Sequence, residues 1–396
     1  MCRRTDDALR HTALSDRSMA ADYNRERLAA AGDPARLDAI LQTELRERAA
    51  SKLPLTLSCS EFRFPTALSA EQATGDHLAA LHSALVEPGS SVLDMTCGLG
   101  IDAFHIARRA SSVTAIDIDS RCAEAVKMNA RALGLDNVEE VCADSTEWLR
   151  VTDRKFDVIF IDPARRGRDG RRLFALADCS PNVVELLPLL RERATRVIIK
   201  ASPMLDISRM RAELGVDADI IVYGESNECK ELTAVIPGSG LTRVIDSESP
   251  EFSFSPENEA AAEICFAEPE AGQWLHEPSA AMLKSGAFRL MSERFGLSAL
   301  APDTHLYVGD APSEGFPGEI RPIVKAVEWS KRAARELGCD AADIAVRNFV
   351  MSAEELRKRL GIRRGGDGNV RLIGARSRSR KLLLLLGAPH RADEVL

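Results

Sequence analysis

Residues 92–100 read Val92-Leu-Asp94-Met-Thr96-Cys97-Gly98-Leu-Gly100, and the fold follows from how such a stretch is built. A run of apolar residues ends on Asp94, a short turn with two glycines follows, and a helical pattern over Asp102–Arg109 comes next. Glycine admits the positive φ of a tight turn and lets the backbone approach a ligand closely. The loop amides and the helix N-terminus then offer donors to an anionic group. Further out, short apolar runs recur at Ser91–Met95, Val113–Ile118, Val138–Cys142, Phe156–Ile161, Arg196–Lys200, Ile220–Tyr223 and Glu231–Ile236, most of them separated by helical stretches such as Arg121–Leu133. Runs this short do not make buried helices. Their alternation with helices predicts parallel strands joined by crossovers, a doubly wound α/β sheet. Only Gly224 to Lys230 separates the last pair, too little chain for a parallel crossover, so an antiparallel hairpin is expected there.

Composition sets the wider frame. The chain has 396 residues, enough for two or three domains at ~150 residues each. Hydrophobic residues make up 45% and charged residues 28%, which excludes a disordered, collagen-like or disulfide-dense chain. With 52 Lys and Arg against 60 Asp and Glu the net charge is −8, so a uniformly basic nucleic-acid coat is excluded while a local basic patch is not. Aromatic residues are only 5%, so the core must rest on Leu, Val, Ile and Ala. No run approaches the ~18–20 apolar residues of a membrane span, and no signal peptide or membrane anchor is expected. The nine cysteines include no CxxC pair; neither zinc nor a redox dithiol is expected, and the compartment reads as reducing cytoplasm.

Four regions are predicted. Residues 1–87 form an N-terminal helical region, including a helix from Ser69 to Leu85 in which Ser69 is the N-cap and Gln72 closes a capping box. Residues 88–246 hold the doubly wound sheet. Residues 247–320 begin with an acidic linker, since Glu248–Glu277 carries eight Glu and no Lys or Arg, and continue with a helix over Pro278–Phe295. Residues 321–396 form a small α+β domain: strands Glu319–Glu328, Asp343–Phe349, Val370–Ala375 and Lys381–Leu386, with helices Ser330–Leu337 and Ser352–Leu360. Ser352 and Glu355 are spaced as a capping box.

Three acids stand at the carboxyl ends of predicted parallel strands, where ligands bind in open α/β sheets. The first is Asp94. Asp117, 23 residues later in Ala115-Ile-Asp117-Ile118-Asp119, is placed to accept hydrogen bonds from ribose hydroxyls. Asp144, followed by Ser145, is placed to reach an adenine amino group. Thr96, Cys97, Gly98, Gly100, Ile118, Ser145 and Asp162 complete the candidate nucleotide set. A dinucleotide fingerprint would tolerate Ala103 at its third position, but Asp94 within the turn and the terminal hairpin fit a nucleoside-type ligand better. The fourth run ends Ile161-Asp162-Pro163-Ala164-Arg165. Asp162 is a candidate proton or hydrogen-bond acceptor, or a turn former before Pro163; Arg165 is a candidate phosphate clamp. Lys200 ends the fifth run, and a buried lysine needs a partner. Asp162 on the adjacent strand, with Glu225 or Glu231, would supply it, as a structural ion pair or as part of the chemistry.

The D-x-x-x-G-x-G turn at Asp94 and the acids at 117 and 144 resemble the class I S-adenosylmethionine-dependent methyltransferases. The resemblance implies a Rossmann-like seven-stranded sheet with an antiparallel last strand and S-adenosyl-L-methionine as cofactor. It also implies Asp117 on the ribose, Asp144 on the adenine edge and Asp162 beside the target atom. Nucleic-acid enzymes of that family often carry a second proline and an aromatic after that acid. Here Ala164 stands instead and no aromatic follows, which argues against a base-stacking N-methylation. The set of Asp162, Lys200 and a Glu resembles the 2′-O-ribose methyltransferases, in which a desolvated lysine acts as base. The first lysine of their tetrad has no match, because no lysine lies between Lys52 and Lys127. A cysteine nucleophile for pyrimidine methylation has no seat, since Ser202 occupies the fifth-strand position and Cys179 reads as a packed thiol. Glu71-Gln72 lies where the family's helix closes over the methionine end of the cofactor, and a capping pair is the other reading.

Beyond the core, Leu68-Ser-Ala-Glu-Gln72, Asp162-Pro-Ala-Arg-Arg166, Ile199-Lys-Ala-Ser-Pro-Met-Leu-Asp206, Asn227-Glu-Cys-Lys-Glu-Leu232, Lys284-Ser-Gly-Ala-Phe288, Thr304-His-Leu-Tyr307 and Val346-Arg-Asn-Phe349 resemble the methyltransferases with a C-terminal THUMP-like domain. That implies a ferredoxin-like insert and structured RNA, rRNA or tRNA, as partner. Residues 321–396 hold 17 Lys and Arg against 9 Asp and Glu, 17 − 9 = +8. Arg363, Arg364, Arg371, Arg376, Arg378, Arg380 and Lys381 are expected to cluster as a surface for the RNA backbone, the alternatives being a solvated face or a dock for the acidic linker. A small-molecule or protein methyltransferase, and a non-catalytic RNA-binding protein keeping the fold, are the other readings.

Overall fold

The structure, a computed structural model, describes residues 22–165, 175–330, 332–365 and 368–390. Of the described residues, 22–221 together with 231–240 form one compact unit, and 222–230 with those from 241 onward form a second. The helical reading of residues 1–21 lies outside the described residues.

In the first unit α1 spans Pro34–Ala49. Its first turn carries Pro34, and the Asp33 side chain accepts from the Arg36 amide as N-cap. The helix expected over Ser69–Leu85 is two helices, α2 (Ala67–Gln72) and α3 (Asp76–Ala84), broken at residues 73–75. Thr66 is the N-cap and Ser69 is the third helical residue: the Ser69 amide donates to Thr66 Oγ1 at 3.0 Å and the Thr66 amide to Ser69 Oγ at 3.2 Å. The capping box is therefore Thr66–Ser69, and Gln72 only ends the helix.

The alternating elements are β1 (Ser91–Asp94), α4 (Ile101–Ala107), β2 (Ser112–Asp117), α5 (Ser120–Ala132), β3 (Val138–Cys142), α6 (Ser145–Val151), β4 (Phe156–Ile161), α7 (Val183–Arg193), β5 (Ala194–Ala201), α8 (Ile207–Leu214), β6 (Asp219–Glu225) and β7 (Glu228–Ile236). Their strand order is β6-β7-β5-β4-β1-β2-β3. β1 pairs in parallel with β2 and β4, so the order reverses at β1, and β7 runs antiparallel to β5. The β6–β7 hairpin closes on Ser226 and Asn227, both at positive φ (53° and 57°), as two-residue hairpin turns require. To these seven strands the hairpin of β8 (Thr242–Asp246) and β9 (Ser249–Phe254) adds two more beyond β6.

The N-terminal helices are not a separate layer. Leu45, Ala49, Leu53, Phe62 and Phe64 share one buried cluster with Val92, Phe104, Val126 and Phe160. Asp76 fastens them: its carboxylate accepts from the Leu55 amide at 2.7 Å, the Thr56 amide at 2.9 Å and hydroxyl at 2.5 Å, and meets His105 Nε2 at 2.9 Å. Burial works against its charge, yet His105 and Thr56 hold it below the usual carboxylate range.

In the second unit the acidic stretch is structured, not a linker. It contains β9, α9 (Pro256–Ala261), β10 (Cys265–Phe266) and β11 (Trp274–Pro278). Several of its carboxylates have partners. Glu259 accepts from the Arg289 and Leu290 amides at 2.7 and 3.0 Å. Glu268 accepts from Ser379 Oγ at 2.7 Å and Arg380 Nε at 3.1 Å. Glu277 pairs with Arg347 at 2.5 Å and Arg371 at 2.8 Å. Pro278 ends a strand, and the helix expected after it is two, α10 (Ala280–Ser285) and α11 (Phe288–Phe295), parted at Gly286 with φ 83°. Then come β12 (Ser298–Ala299), β13 (Tyr307–Gly309), β14 (Gly318–Glu328), α12 (Ala333–Leu337), β15 (Ala341–Arg347), α13 (Ala353–Leu360), β16 (Arg363–Arg364), β17 (Arg371–Arg376) and β18 (Lys381–Leu386). They form a sheet ordered β10-β12-β13-β11-β14-β18-β17-β15-β16. Ser352 and Glu355 make the expected capping box on α13. The leucine run of β18 lies in the middle of that sheet, and Leu382–Leu386 are buried.

Candidate active site

The glycine turn sits at the carboxyl end of β1, where the strand order reverses. Asp94 is 1% exposed and accepts the Thr96 amide at 3.1 Å. Burial, reinforced by the nearby negative charge of Asp102, pushes its pKa up to about 8, so it carries its proton at neutral pH. The loop is tied to β4 twice: the Met95 amide donates to the Phe160 carbonyl at 3.0 Å, and the Asp162 amide to Thr96 Oγ1 at 2.7 Å. Cys97 is buried, and burial pushes its thiol up. Asp117 accepts the Gly98 amide at 2.9 Å and the Asp119 amide at 2.8 Å, one on each oxygen. Ile118 beside it is 74% exposed. Asp144 is exposed and N-caps α6 through the Thr146 and Glu147 amides at 2.8 and 3.2 Å, with Ser145 buried behind it. The two glycines differ. A Cβ on Gly98 (φ 54°) would meet nothing within 4 Å, whereas one on Gly100 (φ 88°) would lie 2.7 Å from Phe104 Cζ.

Behind this loop lies a buried charged network that reading the sequence captured only in part. Lys200, 6% exposed at the end of β5, reaches Asp162 Oδ2 at 2.8 Å, Asp102 Oδ2 at 3.4 Å, Glu231 Oε2 at 3.6 Å and Thr74 Oγ1 at 2.7 Å. Glu231, rather than Glu225, is thus the glutamate beside Lys200. Asp102, in the first turn of α4, also accepts from Thr74 Oγ1 at 2.5 Å. His82, fully buried in α3, joins the two inner acids: Nδ1 to Asp102 Oδ1 at 2.7 Å and Nε2 to Glu231 Oε1 at 2.6 Å. Burial opposes charge at Lys200, His82 and Asp102, but there the ion pairs win, whereas at Asp162 burial outweighs Lys200 and raises the carboxyl. Lys200 is raised well above its ordinary value by Asp102, Asp162 and Glu231, His82 is raised to about 9 by Glu231 and Asp102, and Asp102 is lowered by Lys200 and His82. Asp162 keeps 46% of its side chain exposed and is the network's outlet to solvent. His82, Asp102 and Thr74 escaped the sequence reading; only Gly75, as a helix breaker, hinted that the turn at 73–75 has a purpose.

Residues 92–172 match a methyltransferase-domain family, residues 274–317 a ferredoxin-like domain and residues 325–388 a THUMP-like domain. An uncharacterized S-adenosylmethionine-dependent methyltransferase of Mycobacterium tuberculosis is 30% identical over 336 residues, 81% of this chain and 88% of the relative. The chain belongs to the S-adenosylmethionine-dependent methyltransferases. A crystal structure of a putative methyltransferase from Porphyromonas gingivalis superposes on this methyltransferase with a TM-score of 0.82 at 28% identity, covering 94% of this chain and 98% of the other. A 96-residue stretch is 32% identical to part of the 23S rRNA (uracil(747)-C(5))-methyltransferase of Shewanella oneidensis, 24% of this chain and 25% of that one.

The residues at the loop fit an S-adenosylmethionine cofactor. Gly98 opens onto free space, Asp117 is partly exposed with each oxygen accepting one amide, and Ile118 offers bare apolar surface. Three other expectations need correction or qualification. A lysine held charged by three carboxylates is a poor proton acceptor at neutral pH, so the geometry disfavours Lys200 as a base. The basic residues do not form one patch. Arg363 and Arg364 pair with Ala341 and Ala342, and Ala375 pairs with Arg347, so Arg376 lies roughly 20 Å further along the strands. Arg371 is bound to Glu277 and Glu319, Arg380 to Glu268, and the Arg378 guanidinium lies 5.0 Å over Phe266. The Arg165 side chain lies outside the described residues. Lys52, whose Nζ donates to the Glu71 carbonyl at 2.9 Å, is lowered by burial and then by the charge of Lys200. Among the described residues no cluster could hold a metal ion, and no helix is long and apolar enough to cross a membrane.

Proposed function

We propose that this methyltransferase modifies structured RNA, rRNA or tRNA, in the cytoplasm. The RNA would rest on the THUMP-like end and the acceptor atom beside Asp162. The observation that carries the reading is the pair of exposed arginine sites at opposite strand ends of the THUMP-like region, Arg363–Arg364 and Arg376–Arg378. Two such sites set apart suit phosphates along a backbone better than one small anion. The rRNA methyltransferase similar over a quarter of its length supports the same reading, and the scattered single cysteines support the compartment.

In this reading Asp117 holds the ribose hydroxyls, Ile118 covers the adenine and Asp144 borders its edge, while Gly98 and Gly100 shape the turn with Thr96, Cys97 and Ser145 around it. The cofactor supplies a methyl group already activated on a sulfonium. The protein contributes proximity and orientation. Asp162, linked to the cofactor loop through Thr96, accepts a hydrogen bond or proton from the acceptor, and Lys200 holds Asp162 in place. Cys179 is buried with Sγ on the Ala175 carbonyl at 3.8 Å, so no thiol adduct is invoked.

The test has three parts. Calorimetry with S-adenosylhomocysteine should give heat that Asp117→Ala abolishes. Filter binding of tRNA and rRNA across a salt series should show a steep salt dependence that weakens by about one phosphate in R363A and again in R376A. Tritiated methyl transfer to RNA should vanish in Asp162→Asn. RNA affinity that ignores salt would favour a small-molecule or protein substrate instead.

A further inference from the structure

His82 sits between two carboxylates in a way that fixes its protonation from geometry alone. Each ring nitrogen faces a carboxylate oxygen, at 2.7 and 2.6 Å, and the side chain is fully buried. A neutral imidazole has one donor and one lone pair; a lone pair at 2.6 Å from a carboxylate oxygen, with no water between, would be repelled. Between two ionised carboxylates, both nitrogens donate. The groups facing the ring include Asp102 from α4, Glu231 from β7 and the Phe160 ring from β4 at 5.6 Å between centroids. Lys200 from β5 lies on the far side of both acids, and Thr233 Oγ1 donates to the same Glu231 oxygen at 2.8 Å.

The consequence reaches the reaction edge. Asp102 and Glu231 each give one oxygen to His82 and turn the other toward Lys200, and Lys200 in turn meets Asp162 at 2.8 Å. We infer that His82 is a positioning residue for methyl transfer: as a buried imidazolium it fixes the two carboxylates that hold Lys200 against Asp162, and so sets where Asp162 points and how readily it accepts a proton. This rests on the placement of Asp162 beside the acceptor. Without the imidazolium, two inner carboxylates would share Lys200 alone, draw it inward and leave Asp162 less compensated, which raises its proton affinity.

The experiment uses the full-length protein. Ring nitrogens are followed by 15N spectra of histidine-labelled protein, and the Asp162 carboxyl by 13C spectra assigned with D162N. In the wild type, His82 should show both nitrogens protonated across neutral pH. In H82Q the Asp162 titration should move up by about one pH unit or more, and the acid limb of the methyl-transfer rate should move with it, with KM for RNA unchanged. Should H82Q not fold, E231Q serves: losing one carboxylate partner, the His82 ring should release its proton at distinctly lower pH. A singly protonated His82 at neutral pH overturns the inference, as does a folded H82Q whose Asp162 titration and pH profile match the wild type. If the wild type transfers no methyl to RNA, the substrate reading falls, while the two spectroscopic measurements still decide the role of His82.

Discussion

Gly98 and Gly100 look interchangeable in the motif, and replacing each with alanine should separate binding from folding. Both have positive φ, 54° and 88°, so either alanine incurs a backbone cost of about 1–2 kcal/mol. Only Gly100 incurs a second. Its Cβ would lie 2.7 and 2.9 Å from Phe104 Cζ and Cε2 and 3.0 Å from Val126 Cγ2. Phe104 and Val126 are 1% and 0% exposed within the main core and have no open side to move toward. Overpacking of this kind costs about 1–3 kcal/mol. Gly100→Ala should therefore lose about 2–5 kcal/mol and Gly98→Ala about 1–2 kcal/mol. Urea unfolding reads both as a shift of midpoint at constant slope. The Gly98 Cβ would project into the space assigned to the cofactor, so Gly98→Ala should weaken S-adenosylhomocysteine by about tenfold or more by calorimetry while staying folded. Equal destabilisation by the two alanines, or undiminished binding by Gly98→Ala, would refute the distinction.

The buried ionisable groups predict how stability depends on pH. His82 is raised from 6.5 to about 9, so its contribution is full below pH 6.5 and is lost as the pH rises through 9. Asp94, raised from 3.8 to about 8, favours the folded state in its protonated form and loses that advantage as the pH rises through 8. The melting temperature should fall across this range, at most about 1.4 kcal/mol per pH unit for each group, and Asp94→Asn should flatten the part that ends near 8; a flat wild-type profile would contradict both. Asp76→Ala strands two amides, a hydroxyl and a buried imidazole and should cost roughly 2–5 kcal/mol in chemical denaturation; a loss under 1 kcal/mol would mean water replaces the carboxylate. Cys179→Ala should leave the methyl-transfer rate unchanged in a tritium assay, and a dead variant would restore the thiol-adduct chemistry set aside above.

Much of the fold is legible from local chemistry. Strands at Val138–Cys142, Phe156–Ile161 and Lys381–Leu386 fall where the apolar runs place them, because a short run bounded by turn residues has few other options. The β6–β7 hairpin follows from the length of its connection. Lys200 announced a partner because a charge at the end of a buried strand is untenable alone, and Asp162 and Glu231 provide it. Local signals misled where two residues compete for one role. Thr66 and Ser69 are both good caps, and only the paired hydrogen bonds decide between them. Pro278 suits a first helical turn as readily as the end of a strand. The acidic stretch 248–277 reads as a solvated linker until its carboxylates meet the Arg289 and Leu290 amides, Arg347, Arg371 and Arg380.

The sequence by itself determined the doubly wound core, the glycine turn and its three acids, since turn chemistry and hydrophobic periodicity act within about ten residues. Tertiary structure alone decided which side chains work together. His82 meets Glu231 across 149 positions, Lys200 meets Thr74 across 126 and Asp102 across 98, and strand register split a string of arginines into separated sites. Those outcomes depend on which strands become neighbours and in what register, a choice made by the whole core and written in no single stretch of the chain.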